Sequence, residues 1–174
     1  VMQLKIIGTG SNGNSMLLEN ADMSILLDCG MPITEVKKTL NFKVSKFKFA
    51  ICSHVHNDHS AYIPKVICMG IPVYMPMSVK EQYAGYSNAI QVEPMKQISV
   101  NGITFIPFIV PHDGVECFAY IIKWEKRTIA WLTDLEYCPY SLAKLGLTDI
   151  FVECNYVDDE VQSDIPNYEH KLLG

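Results

Sequence analysis

The eight residues Ser53-His54-Val55-His56-Asn57-Asp58-His59-Ser60 hold three of the five histidines in the chain, with a carboxylate among them. Immediately before them runs Phe47-Lys48-Phe49-Ala50-Ile51-Cys52, the composition of a short apolar strand. A strand that empties into a histidine-rich loop demands a sheet whose strand ends present these side chains together, the place where sites usually lie. Residues two apart on an extended segment point the same way, so His54 and His56 can converge on one atom. Asp58 and His59 follow once the chain turns, displaced enough to hold a second atom nearby. Imidazole with carboxylate suits zinc, manganese or iron, whereas thiolates would indicate a structural zinc. A helix N-terminus that is rich in histidine by accident is the plainer reading, but it leaves clustered imidazoles without partners.

The chain around this loop reads as one α/β domain over residues 1–174, long enough to bury a substantial core. Hydrophobic residues make up 49%, which argues against disorder. Strands are expected at 4–7, 15–19, 24–28, 47–52, 71–75, 90–92, 97–100, 103–108, 117–124, 128–133 and 150–154. Asn20-Ala21-Asp22, Asn101-Gly102 and Glu125-Lys126-Arg127 should turn hairpins. Helical spacing or capping predicts helices at 33–40, 60–69, 78–83 (capped by Ser78) and 141–145. Strands in two batches with helices between and after them predict two mixed sheets packed face to face, helices outside.

Six scattered cysteines without a CxxC pair read as small buried hydrophobes, although Cys29 and Cys52 neighbour the motif residues. No apolar run is long enough to cross a bilayer and no charged-then-apolar leader is present, so no membrane partner is expected and a cytoplasmic location is. The formal net charge of −5 gives no global pull toward nucleic acid. The one basic stretch, Lys37, Lys38, Lys43, Lys46 and Lys48 among Phe42, Phe47 and Phe49, is read as a solvated helix end leading into a strand, with a phosphate track as the alternative.

His54-Val55-His56-Asn57-Asp58-His59 resembles the HxHxDH signature of the metallo-β-lactamase-fold hydrolases. Gly8-Thr9-Gly10-Ser11-Asn12-Gly13-Asn14-Ser15 and Leu26-Leu27-Asp28-Cys29-Gly30 are similar to that family's opening strands. Val110-Pro111-His112-Asp113 and Leu132-Thr133-Asp134 resemble its third and fourth motifs. The opening and the His-Asp pair look most like a small bacterial and phage subgroup of DNA-processing phosphodiesterases. The resemblance implies a four-layer αββα sandwich.

It also implies how the ligands divide. His54, His56 and His112 would hold one cation, Asp58 and His59 a second, and Asp134 would bridge both through its two carboxylate oxygens. Asp28 would orient the histidine loop. One or two zinc ions, with manganese or iron as alternatives, would supply a hydroxide and stabilise charge on a phosphoryl or carbonyl oxygen, with Asp58 and Asp134 as the catalytic carboxylates. Asn14 or Ser11 could touch substrate, but turn chemistry explains both more simply.

The expected function is a metal-dependent hydrolase, foremost a phosphodiesterase or nuclease acting on nucleic acid or another phosphodiester. The rivals are a thioesterase or lactonase at the same metals, and a non-catalytic metal-binding protein of this fold. The family completes its second metal site with a late histidine after a glycine. Here His170 is the last histidine, in a polar helical run, so the expectation is a chain lacking its C-terminal portion and a weaker second position.

Overall fold

The structure, a computed structural model, describes residues 1–153. Cys154, His170 and the helix expected around it lie outside the described residues. Two mixed sheets stack face to face. The first, in the order β1 to β6, comprises β1 (Gln3–Gly8), β2 (Ser15–Glu19), β3 (Ser24–Leu27), β4 (Phe47–Ile51), β5 (Val73–Met75) and β6 (Ala89–Gln91). β1, β2 and β3 are antiparallel, and β3 to β6 run parallel. The second comprises β7 (Ile98–Val100), β8 (Ile103–Val110), β9 (Cys117–Trp124), β10 (Arg127–Leu132) and β11 (Asp149–Val152), in the order β11-β10-β9-β8-β7. Only β10 and β11 are parallel in it.

The period of two assigns each side chain to a layer. In the first sheet Leu18, Ile25, Leu27, Phe49 and Ile51 face the second sheet, meeting Phe105, Phe118, Tyr120, Ile129 and Trp131 from its inner side. Leu17, Leu26, Ala50 and Val73 face the other way, against the helices α1 (Ile33–Thr39) and α3 (Ile63–Cys68). Covered on both faces, β3 and β4 can be apolar almost throughout, as parallel strands at a sheet centre are. The outer face of the second sheet, including Phe108, Val110, Ala119 and Leu132, packs against Leu135, Leu142 and Leu147.

Several local expectations shift. The helix expected over 60–69 begins earlier and breaks in two, α2 (Asn57–Ser60) and α3, with Pro64 in the first turn of α3, where a missing N–H costs nothing. Helix α4 (Met77–Lys80) starts after Pro76, so Ser78 lies inside it and caps nothing: its backbone N–H donates to Glu116 Oε2 (2.9 Å) and its hydroxyl has no partner. Residues 141–145 form a turn, closed by Leu145 N–H on Leu142 C=O (3.1 Å), because Leu142 is drawn onto the outer sheet face. β8 runs two residues beyond its expected end, pairing Val110 with Cys117, and tolerates Pro107 because β7 is already finished on that side.

Among the described residues no helix is long and apolar enough to cross a membrane.

Candidate metal centre

The site lies where the chain leaves β3, β4, β8 and β10, at the carboxyl ends of those strands. Two cross-links hold the sheets in register there. Tyr120 Oη on β9 donates to Cys52 C=O (2.8 Å), and Phe118 N–H donates to Ser53 C=O (3.0 Å). The loops carrying His112 and Asp134 are joined by Glu136 N–H on Pro111 C=O (2.9 Å).

Beneath the histidines sits Asp28, fully buried at the end of β3. Its backbone is left-handed (φ 61°), as is that of Asp134 (φ 43°), a conformation aspartate tolerates better than most residues and that clusters at functional sites. Asp28 Oδ1 accepts from Ser53 N–H (2.7 Å) and Ser53 Oγ–H (2.9 Å), and Oδ2 accepts from His59 Nδ1–H (2.6 Å). With its proton committed to Asp28, Ser53 Oγ accepts from His54 Nδ1–H (2.9 Å). One carboxylate therefore fixes Nδ1–H on both buried imidazoles and turns Nε2 of His54 and His59, the atoms whose lone pairs a cation would take, toward the centre.

Those lone pairs converge with the other candidates. His56 Nδ1 lies 3.0 Å from His54 Nε2 and 3.2 Å from His112 Nε2. Asp134 Oδ2 lies 3.5 Å from His54 Nε2, 3.6 Å from His112 Nε2 and 2.8 Å from His59 Nε2. Asp58 Oδ2 stands 3.4 Å from His59 Nε2. Two groups result, His54, His56, His112 and Asp134, and Asp58, His59 and Asp134, each with ligand atoms within 4.8 Å of one another. All six residues singled out in the sequence are brought together, and a single oxygen of Asp134 approaches both groups.

The electrostatics call for positive charge. Burial, and then the neighbouring His59 and His112 rings, push His54 down to about 3, so it stays neutral with its lone pair available. Burial also opposes charge on His59, but Asp28 and Asp134 on either side outweigh it and raise the ring to about 10. The His59 hydrogen bond, against the effect of burial, holds Asp134 down at about 2. In the protein alone a proton on His59 Nε2 must separate that nitrogen from Asp134. Imidazoles and carboxylates aimed at shared points, short of protons, are a donor set that fits a divalent cation.

Asn14 is the residue that sequence reasoning underrated. It does serve its turn, Oδ1 accepting from Gly10 N–H (2.8 Å), yet Nδ2 reaches Asp58 Oδ2 (3.1 Å) and His59 Nε2 (2.9 Å). Ser11 is exposed on the same loop. The loop is pressed against α2: Asn14 N–H donates to Asp58 C=O (2.6 Å), and Gly30 N–H donates to Asn14 C=O (3.0 Å). A Cβ on Gly30 would stand 1.6 Å from Asp58 O, so only glycine permits this approach. The glycines at 13 and 30 were the available signal, marking where backbones meet.

Cys29 and Cys52 are fully buried, and burial, followed by Asp28, raises their thiols well above the ordinary range. Cys52 Sγ donates to His54 C=O (3.2 Å), and neither cysteine joins the ligand groups. The lysine stretch is placed at the start of β4, at the opposite end from the histidine loop; Lys38 pairs with Glu35 (2.8 Å) and Lys48 donates to Ser45 C=O (2.8 Å). Phe47 and Phe49 are core residues there. The solvated-helix reading describes it.

Two cavities adjoin the centre. One of about 270 Å³ is lined by His112, Asp134, Leu135, Glu136 and Glu153. The other, about 340 Å³, opens between the edge strands β1 and β11, where Ile6, Met16, Trp131 and Phe151 line it, and reaches Asn14.

Comparison with known proteins agrees with this architecture. The family model described as the beta-lactamase superfamily domain matches residues 24–170. The metallo-β-lactamase fold protein YhfI from Bacillus subtilis superposes with a TM-score of 0.61 at 23% identity, covering 76% of this chain and 61% of that one. A diphosphatase from the PhnP family gives 0.57 at 17% identity, over 75% of this chain and 63% of that one. Human tRNase Z, short form, gives 0.57 at 13% identity, over 73% and 67%. The chain thus spans about three fifths of the length of the first two. No curated protein sequence matches it.

Proposed function

The chain belongs to the β-lactamase superfamily, and from that premise we propose that it is a metal-dependent hydrolase whose substrate is a phosphodiester. The observation that supports the reading is the approach of Asp134 Oδ2 to His112 Nε2 (3.6 Å) and to His59 Nε2 (2.8 Å), so that one carboxylate could serve both proposed cation positions. His54, His56 and His112 would hold the first cation, and Asp58 and His59 the second. Three neutral imidazoles favour zinc, with manganese or iron tolerated by the same donors. Such a cation pair supplies Lewis acidity at the phosphoryl oxygen and water that is acidic at neutral pH.

The rest falls to side chains of this chain. Asp28 keeps the His54 and His59 lone pairs facing the centre. Asp58, whose side chain is partly exposed, would accept the proton of the attacking water. The P–O bond to the leaving alcohol breaks as the new P–O bond forms, and the proton returns to the alkoxide. A diphosphatase and a tRNase Z among the structural neighbours support phosphorus as the electrophile, while metallo-β-lactamases, which stand among the neighbours as well, keep a carbonyl substrate as the rival. Nucleic acid is the leading form of that substrate. No Lys or Arg lines the cavity at His112 among the described residues, so neutralising the phosphate falls to the cations.

A second reading rests on the apolar cavity that reaches Asn14, which would suit the acyl chain of a thioester or lactone. The protein loaded with zinc, and separately with manganese, should hydrolyse bis(4-nitrophenyl) phosphate or single-stranded DNA, and His56→Ala should abolish it. Turnover of a thioester or lactone with both phosphodiesters untouched would select the second reading. Loaded protein that turns over none of them would leave a metal-binding protein without catalysis.

A further inference from the structure

Ile6 stands opposite Met16 in the β1–β2 pairing, two residues along the strand from Leu4, which packs onto the core between the sheets. By the period of two it faces the second sheet as Leu4 does, yet it is 64% exposed. The sandwich is therefore closed at the start of β1 and gapes at its end, where the chain runs into residues 9–14 beside the metal centre. The gap is the cavity of about 340 Å³, with Ile6 and Met16 on one wall and the register partners Trp131 and Phe151 on the other. Exposed apolar residues scattered singly are ordinary, but these face one another across a cavity. The polar lining residues Thr9, Asn14, Thr133 and Glu153 come where β1, β10 and β11 end or β2 is about to begin, so they gather at the metal end. There Asn14 Nδ2 donates to Asp58 Oδ2 (3.1 Å), and Thr133 Oγ1 donates to Glu153 Oε2 (2.9 Å) at the boundary with the cavity at His112. Ligand cavities of roughly 300 Å³ and more have this form, mostly apolar with a few polar groups that fix orientation.

We infer that this gap between the sheets is a subsite for an apolar arm of the substrate, an alkyl or aryl substituent that enters between β1 and β11, lies against Trp131 and Phe151, and leaves its polar head at the Asn14 and Thr133 end. The inference rests on the metal-centre reading above for where the reacting group lies, and deepens it by naming what the reacting bond carries on this side. It holds for a phosphodiester and for a thioester or lactone alike, because the arm is what is recognised. Among the described residues no Lys or Arg lines the gap, so a further phosphate on this arm would meet no counter-charge. The arm is uncharged.

The experiment measures binding first, on the metal-free protein, with butyl, hexyl and octyl phosphocholine below their micelle concentrations, by calorimetry. Each is a phosphodiester with one uncharged arm, and affinity should rise by about two- to fourfold per methylene. Ile6→Glu and Val152→Glu each place a carboxylate at the mouth, one from either sheet, at positions exposed enough for the variants to fold. Each should flatten the dependence on chain length. Ile109→Glu, the same charge on an exposed strand position outside the cavity, should leave it as in wild type. An affinity in wild type that ignores chain length overturns the inference, as it would if chain beyond Glu153 covered the gap. A dependence that survives both mouth variants puts the arm elsewhere and overturns it equally. The second measurement uses the zinc-loaded protein with 4-nitrophenyl alkyl phosphates and alkanoyl thioesters of the same chain lengths. The trend should reappear in kcat/KM for whichever class is hydrolysed, and turnover indifferent to chain length overturns the inference. No turnover of either class, with the binding series intact, overturns the hydrolase reading and leaves the gap a site for an apolar arm.

Discussion

Replacing Asp28 by Asn keeps the shape at the floor of the centre and removes one charge and one acceptor. In the native protein three donors converge on this carboxylate: Ser53 N–H at 2.7 Å, Ser53 Oγ–H at 2.9 Å and His59 Nδ1–H at 2.6 Å. An amide oxygen has two lone pairs, enough for the two Ser53 donors. Its NH2 would then face His59 Nδ1, donor against donor, unless the imidazole moves its proton to Nε2. That move takes away the lone pair aimed at the second cation position. The stability loss in chelator should be that of a charge-assisted hydrogen bond, about 1.5–3 kcal/mol, a sizeable part of a typical total of about 5–15 kcal/mol. Removing an outer partner of a metal-binding histidine costs about 10–100-fold in affinity, or about 1.4–2.7 kcal/mol. Here the loss should fall on one position. His54 keeps its tautomer because Ser53 Oγ–H still has an acceptor, so the three-histidine position should bind nearly as before. Zinc titration resolves the two steps and urea unfolding in chelator gives the stability. Equal weakening of both steps, or of neither, would show that Asp28 does not set these tautomers.

Gly30→Ala should cost at least about 3 kcal/mol in urea unfolding, the upper range for overpacking, because its methyl would displace the Asp58 carbonyl from 1.6 Å; a loss below about 0.5 kcal/mol would refute the close approach. Tyr120→Phe leaves the buried Cys52 carbonyl without its 2.8 Å donor and should cost about 1–3 kcal/mol, read from the same unfolding curve. Burial holds the thiols of Cys29, Cys52 and Cys117 protonated well above neutral pH, while Cys68 is exposed, so iodoacetamide at pH 8 should modify Cys68 and spare those three in the native state. Mass spectrometry of the alkylated peptides checks it, and early labelling of Cys52 would contradict the packing under the histidine loop.

What could be read from the sequence was whatever short-range chemistry decides. Asn101-Gly102 announced a hairpin because both residues must adopt positive φ, and they do, at 52° and 75°. The His54-His56-Asp58-His59 cluster was legible because its spacing alone makes the side chains converge. His112 and Asp134 were not legible that way; each is one polar residue after a strand, and family likeness alone placed them with the histidines. Ser141 to Leu145 has helical composition, but the outer face of the second sheet takes Leu142 and Leu147 and a turn suffices. Ser78 looked like a cap because Pro76, which begins the helix without one, carries no side-chain signal. Asn14 was misjudged for a related reason: its turn role is local and visible, whereas its contact with Asp58, 44 residues away, exists only once the backbones of Gly30 and α2 have met.

The three-histidine group draws His54 and His56 from the end of β4 and His112 from the end of β8, so its two contributing sheets meet through residues 56 positions apart in the chain, His56 and His112. A cation held there would staple the sheets together, and any fluctuation that parts them would first have to let it go. At free zinc a thousandfold above the dissociation constant, that adds about 4 kcal/mol to the cost of every such opening. Amide protons in β4 and β9, which exchange only when the sandwich opens, should slow accordingly. Those of β7 at the far edge, which fray without disturbing either side of the staple, should not notice whether zinc is there.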